Sequence, residues 1–343
     1  MKNFILGTLI SILSVSNIFA EDKISSKETT IINDLMYQKG SEEPFSGKIF
    51  HTDEEENIYF YLTVKNGVPN GLSESFYNLE GSIRTKSNYV NGQLSGLMSH
   101  YDEKGRLFLI ESYKNDKLNG QSRYFDDNNV LREIENYEND VKKGNQLIFY
   151  PNGNIKEIKV FENGKAHGKF WVFNENGLID LVGEFNKDQL TGPFKKFHSN
   201  GKLSQIGFFK EGKVSGIIKI FNKEGILYRV DEVENTKSNG ISTIYYESGS
   251  IKSTSFFVND KREGVHIDFY ESGNIKCESN YSNGILQGKA ECFHENGNLK
   301  VSGSFENGEK QGNFRYFNES GGVVTVQKFN TGNLVKEKEL TAL

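Results

Sequence analysis

Six histidines, two cysteines and a surplus of carboxylates are the residues of this 343-residue chain that could do chemistry. Histidines hold a metal or relay a proton only where they converge with each other or with carboxylates. His51, His100, His167, His198, His266 and His294 fall at different places in the repeating pattern of the chain, and the two that share a place, His198 and His294, stand four repeats apart. Asp126, Asp127, Asn128 and Asn129 offer oxygen ligands of the kind calcium takes, but they occupy a position where such a run is an ordinary turn. There is no Gly-x-Ser-x-Gly elbow, His-Glu-x-x-His pair or phosphate loop, because the many glycines fall at turn spacing. The expectation is a non-enzyme with no catalytic residue, no metal and no cofactor.

The elements that would have to position any site are set by a ladder of glycines. Its rungs are Gly47, Gly71, Gly96, Gly120, Gly144, Gly168, Gly192, Gly216, Gly240, Gly264, Gly288 and Gly312, 24 residues apart except for the 25 between Gly71 and Gly96. Counted from each rung, position five is aromatic from Phe76 to Phe317, position eleven is aliphatic from Leu107 to Val323, and position seventeen is aromatic from Tyr113 to Phe329, with Val233 the exception. A glycine near position nine and an Asn-Gly or Asn-Asp pair at nineteen and twenty mark two turns per repeat. Short apolar runs punctuated in this way are strands joined in hairpins, and no stretch keeps a helical period for long enough to compete. The fold class is therefore all-β, an elongated array of about twelve β-hairpin repeats.

Turn length decides which columns share a face, since a slip of one residue exchanges the two sides of a strand. A three-residue loop with a glycine bulge fits both turn signals and places positions five, eleven and seventeen on one face. A two-residue turn is the alternative. The choice also decides Cys277 and Cys292, which lie on strands joined by Asn283-Gly284: opposite faces after a three-residue loop, one face after a two-residue turn, where an exported protein could bond them.

The repeat, written GNQLIFYPNGNIKEIKVFENGKAHG from Gly144 to Gly168, resembles the bacterial variant of the MORN repeat. The resemblance runs from Gly47 to about residue 333. It implies the hairpin array and, since some bacterial members are labelled antitoxins or immunity-like proteins, a toxin partner as one reading of function. The parent family's name implies a membrane-associated scaffold as another. Two repeats depart from the pattern. Thr52 and the acidic run Asp53 to Glu56 follow Gly47 and suggest a cap, while Val233 and Thr236 mark the repeat after Gly216 as the weakest joint.

Residues 1–20 have the order of a signal peptide: Lys2, an apolar run from Phe4 to Phe19, then Ala20 before Glu21 and Asp22. The run is too short to span a bilayer. Residues 21–46 are a lead-in, 47–333 the repeat array and 334–343 a tail. The expected product is exported, whether periplasmic, on the cell surface or secreted. Loss of Lys2 leaves 40 basic against 46 acidic residues, a formal charge of −6, which disfavours nucleic acid and anionic membranes as bulk partners. The function expected is a binding or scaffold module for a protein or glycan partner at the cell envelope or outside the cell.

The candidate partner-binding residues come from the face left over by the three-residue-loop reading. There Val182, Ile206 and Val230 at position fourteen join Phe170, Phe194 and Ile218 at position two and Phe208 at position sixteen in an apolar stripe. Such a stripe is either core buried by curling of the sheet or an exposed patch for a partner.

Overall fold

A computed structural model describes residues 22–77 and 81–340. The signal peptide expected over residues 1–20 lies outside the described residues. Apart from a single 3-10 turn at Ser26–Glu28, the described elements are all strands, as the all-β reading requires. The chain divides into two compact units, with Asn129 ending the first and Val130 opening the second.

Within each unit the strands of the repeats pair antiparallel in sequence order, with a hydrogen-bond ladder between neighbours. The first turn of a repeat is the three-residue loop: in the Gly144 repeat the Tyr150 N–H donates to the Asn154 carbonyl at 2.8 Å and the Gly153 N–H to the Tyr150 carbonyl at 3.0 Å. Phe149 accordingly pairs with Ile155, position five with eleven.

The second turn is shorter than the sequence suggested. Glu162 pairs with Lys165 and Phe161 with Ala166, leaving only Asn163 and Gly164 in the loop, with φ of 51° and 78°. Two positive φ values make this a type I′ turn, whose twist matches that of the flanking strands. A second effect compounds the change. The register slips between Ile148 and Phe149, so that Gln146 faces Lys159 and Gly144 faces Phe161. Positions five and eleven therefore share one face, and position seventeen lies on the other with position two. The rung glycines explain their own regularity: they stand where paired strands fall out of step, at φ values from 71° to 153° that a side chain would strain.

The same turn settles the cysteines. Ser282 pairs with Ile285 across Asn283-Gly284, the register shifts by two between Ser279 and Tyr281, and Cys277 thereby stands directly opposite Cys292, where the two form a disulfide.

One face of the second unit holds its core. Phe170, Phe194, Ile218 and Phe314 at position two are buried, and the ring at position seventeen stacks beside each phenylalanine: Phe170 to Phe185 at 4.9 Å, Phe194 to Phe209 at 4.6 Å and Phe314 to Phe329 at 5.3 Å between centroids. Position fifteen makes room for them. Phe170 pairs across the ladder with Gly183 and Phe194 with Gly207, and a Cβ on either glycine would lie 2.6 Å from the ring. Where position two is Ser242 or His266, position fifteen of the same repeat is Ser255 or Ser279 instead.

Consecutive repeats are tied at both tips. Tyr150, Tyr246 and Tyr270 at position six donate their hydroxyls to the carbonyls of Phe173, Phe269 and Phe293 in the next repeat at 2.8 Å. His198 and His294 do the same through Nε2 at 3.0 Å; a carbonyl only accepts, so Nε2 carries the hydrogen. Asn174 and Asn222 at this position turn inward and accept from their own loop. At the other tip, the N–H of position twenty donates to the preceding repeat, as from Gly164 to the Lys142 carbonyl at 3.0 Å and from Asp188 to the Ala166 carbonyl at 2.9 Å.

Thr236 occupies position twenty of the Gly216 repeat at φ 72°, a left-handed conformation that costs a β-branched residue about 1–2 kcal/mol. Replacement by glycine, as in most repeats, should raise the unfolding midpoint of the second unit. An unchanged or lower midpoint in thermal denaturation of Thr236→Gly would show that the turn carries no such strain.

In the first unit the lead-in is folded. Lys23–Ser25 lies parallel to Gly47–Thr52, and Thr29–Ile32 and Leu35–Gln38 form a separate hairpin. Ile24, Phe45, Ile49, Leu62 and Val64 make a buried cluster with Met36, Phe60 and Tyr89 against it. The cap expected at the Gly47 repeat is thus completed by Ile24, Met36 and Phe45, which precede the repeat pattern. At the other terminus, Asn333–Glu339 is a strand paired with Val323–Asn330.

Candidate interaction face

The face of the second unit opposite the core carries positions one, three, fourteen and sixteen. Trp171 pairs with Val182, Lys195 with Ile206, Lys219 with Val230 and Thr243 with Thr254. This central ladder is half-buried except at Lys195 and Lys219, which are exposed.

Beside the ladder runs the most exposed apolar row of the unit. Pro193 pairs with Phe208, Ile217 with Glu232, Ile241 with Phe256 and Val265 with Asn280. Phe208, Ile217, Ile241, Phe256 and Val265 keep 47%, 59%, 52%, 45% and 44% of their surfaces in contact with water. From Pro193 to Val265 the row crosses seven consecutive strands, about 29 Å at ordinary strand spacing. The one charged member is Glu232, whose carboxylate is turned back to accept the Ile241 N–H at 3.1 Å. A contiguous exposed apolar row of this length is not what a sheet face meeting only water presents.

The residues singled out in the sequence divide between the two faces. Phe170, Phe194 and Ile218 are core, and their assignment to a partner surface is corrected by the register slip before position five, which pairs position two with fifteen and not with fourteen. Val182, Ile206 and Val230 sit half-buried in the central ladder. Only Phe208 belongs to the exposed row. Its neighbours Ile217, Ile241, Phe256 and Val265 were missed because the face assignment hid the alternation of apolar residues at positions one and sixteen.

Two depressions adjoin the row. A cleft of about 640 Å³ opens beside Phe208 and Val233, rimmed by Lys210, Glu211, Glu234 and Asn235. It lies in the repeat where valine takes the place of an aromatic ring. A smaller one, about 240 Å³, is lined on the open face by Lys169, Val182, Glu184, Pro193, Lys195 and Ile206.

The polar clusters lie on the core face. Ser255, His266 and Asp268 resemble a hydrolytic trio in composition, with Ser255 Oγ 2.7 Å from His266 Nδ1 and Asp268 Oδ2 3.3 Å from Nε2. Nδ1 also lies 3.0 Å from the Thr254 carbonyl, so it carries the hydrogen and cannot accept one from Ser255. Ser255 and His266 are buried as well, out of reach of a substrate. Earlier in the unit, Lys142 and Tyr137 bond Glu135, and Gln146 bonds Glu133. Burial pushes the Glu133 carboxyl up, and the charge of Glu135 adds to this against the bond from Gln146. Among the described residues no three His, Cys, Asp or Glu side chains gather where they could hold a metal ion.

The profile described as "MORN repeat variant" matches residues 118–139, 142–163, 190–211, 238–259, 262–283 and 286–307. The chain belongs to the MORN repeat variant family. Each matched segment starts two residues before a rung and ends at the first residue of the second turn, Asn in five segments and Glu211 in the other, so one MORN repeat is one hairpin of this sheet. No curated protein matches the chain. Among solved structures the MORN array is similar to the crystal structure of TcdB2-TccC3, at 10% identity over 88% of this chain and 20% of that one, with a TM-score of 0.19. It is also similar to the Photorhabdus luminescens Tc holotoxin pore, at 11% identity over 87% and 18%, with a TM-score of 0.18. The chain thus spans about a fifth of the length of these structures, and scores this low carry no argument about its role.

Proposed function

We propose that this MORN-repeat chain is an exported, non-catalytic binding and scaffold protein, and that its open face holds a protein partner at the cell envelope or outside the cell. The observation that carries the proposal is the row from Pro193 to Val265, apolar but for Glu232, contiguous and half exposed to water. Three further points support it. MORN repeats suggest a binding or scaffold role; the serine and histidine nearest to a catalytic arrangement are engaged with each other and with the Thr254 carbonyl in the core; and the order of residues 1–20 is that of an export signal.

The test is a paired substitution, Phe208→Ser with Phe256→Ser. Wild-type protein immobilised in an envelope extract of its source cells should retain a partner that the double variant does not. Because both side chains are already half in water, the unfolding midpoint should move by less than about 3 °C. Retention of the partner by the double variant, or a large fall in its midpoint, would remove the row as a binding surface.

A further inference from the structure

Lys195 and Lys219 stand out on the open face, in a chain whose net charge is negative. Each is flanked in the central ladder by aliphatic side chains, Lys195 by Val182 and Ile206 and Lys219 by Ile206 and Val230. A lysine in that setting lays its stem along its apolar neighbours and holds the ammonium out to water. Neither side chain makes an ion pair or hydrogen bond among the described residues, although acidic residues outnumber basic ones by 46 to 41. The carboxylates nearest in the ladder pattern are otherwise placed: Glu232 is turned back onto the Ile241 N–H, and Glu184 stands across the strand from Lys169. The two lysines are two strands apart, about 10 Å, and each lies two residues along its strand from a member of the exposed row, Pro193 or Ile217.

From this arrangement we infer that the open face takes a protein segment that is apolar along the row and acidic along its margin, with Lys195 and Lys219 receiving the carboxylates. The inference rests on the proposed function, since it names the chemistry of the partner held by the same face. Charge complementarity at a rim selects partners more than it adds affinity, so the apolar row supplies the hold and the lysines the choice. An anionic membrane is a poorer fit. Two lysines give little attraction to a lipid surface, and the excess of carboxylates opposes approach to one.

Two fluorescent 20-residue peptides of equal leucine content, one completed with glutamate and one with lysine, separate the possibilities when titrated against the full chain at low salt. The chain's net charge favours the lysine peptide, so preference for the glutamate peptide has to come from the local site. The expected result is tighter binding of the glutamate peptide by about tenfold. Lys195→Glu with Lys219→Glu should abolish or reverse that preference, and Phe208→Ser with Phe256→Ser should remove binding of both peptides. Equal or weaker binding of the glutamate peptide overturns the charge assignment, while loss of binding in the phenylalanine variant would leave the proposed function standing. Binding of neither peptide, or binding indifferent to Phe208 and Phe256, overturns both. If phosphatidylserine vesicles bind through the two lysines and the glutamate peptide does not, the lysines face lipid and the inference falls.

Discussion

Phe194→Ala should destabilise the second unit by about 3 to 5 kcal/mol, the cost of emptying a buried aromatic site that cannot collapse. Phe194 is 5% exposed, stacks on Phe209 at 4.6 Å and covers Gly207, which brings no side chain to fill the void. A repeat array unfolds through its nearest neighbours, so the loss should show first as faster amide exchange in the strands 189–197 and 203–210, with the ends of the unit less affected. Phe208→Ala, on the opposite face of the same hairpin, is the control and should cost less than about 1 kcal/mol. Similar losses from the two substitutions in urea denaturation would mean that the faces have been assigned the wrong way round. Gly207→Val tests the same packing from beneath, because its side chain has to displace the Phe194 ring.

Loss of the disulfide, by Cys277→Ser with Cys292→Ser or by reductant, should cost about 3 kcal/mol on the chain-entropy account for cysteines 15 residues apart. Its position in the array gives the bond local weight. The strands it joins have Ala290 at position two and Ser279 at position fifteen, a pair with no ring to bury, and on the open face Glu278 lies directly opposite Glu291, where like charges repel. The bond thus holds the stretch with the least apolar packing in its neighbourhood. Exchange after reduction should rise between residues 264 and 312 and leave residues 144–210 unchanged. A uniform rise, or none, would show that the bond is not what holds these strands.

The glycine ladder made the number, order and pairing of hairpins legible, because each turn carries its own residue signature. The first turn was readable in detail: glycine at position nine is the left-handed residue a three-residue loop needs. The second was not, since Asn-Gly suits a type I′ turn as well as a longer loop, and the added slip between Ile148 and Phe149 leaves no mark in composition. That unread slip turned position fourteen away from position two and set fifteen and seventeen on its face, which made Phe170, Phe194 and Ile218 core. A signal that could have prevented this was present in the pairing of Phe170 with Gly183 and of Phe194 with Gly207: a large residue recurring opposite glycine marks a ring lying over the backbone. The tyrosines and histidines at position six were equally visible as a column, but their partners are carbonyls, which no sequence pattern reveals. The lead-in defeated the repeat-based reading for a simpler reason. Ile24 and Phe45 occur once, and periodicity says nothing about residues that do not recur.

Where position six is tyrosine or histidine, the bonds at the tips join a repeat to equivalent atoms one period away, Tyr150 to the Phe173 carbonyl as Tyr246 to the Phe269 carbonyl. A duplication or excision of 24 residues within the second unit would therefore remake the same bonds it broke and leave no unmatched donor at the seam. Copy number is then nearly free to drift in such a gene. Each copy gained or lost changes the length of the open face by about 10 Å, so the reach of the surface is adjustable by recombination without redesign of any hairpin.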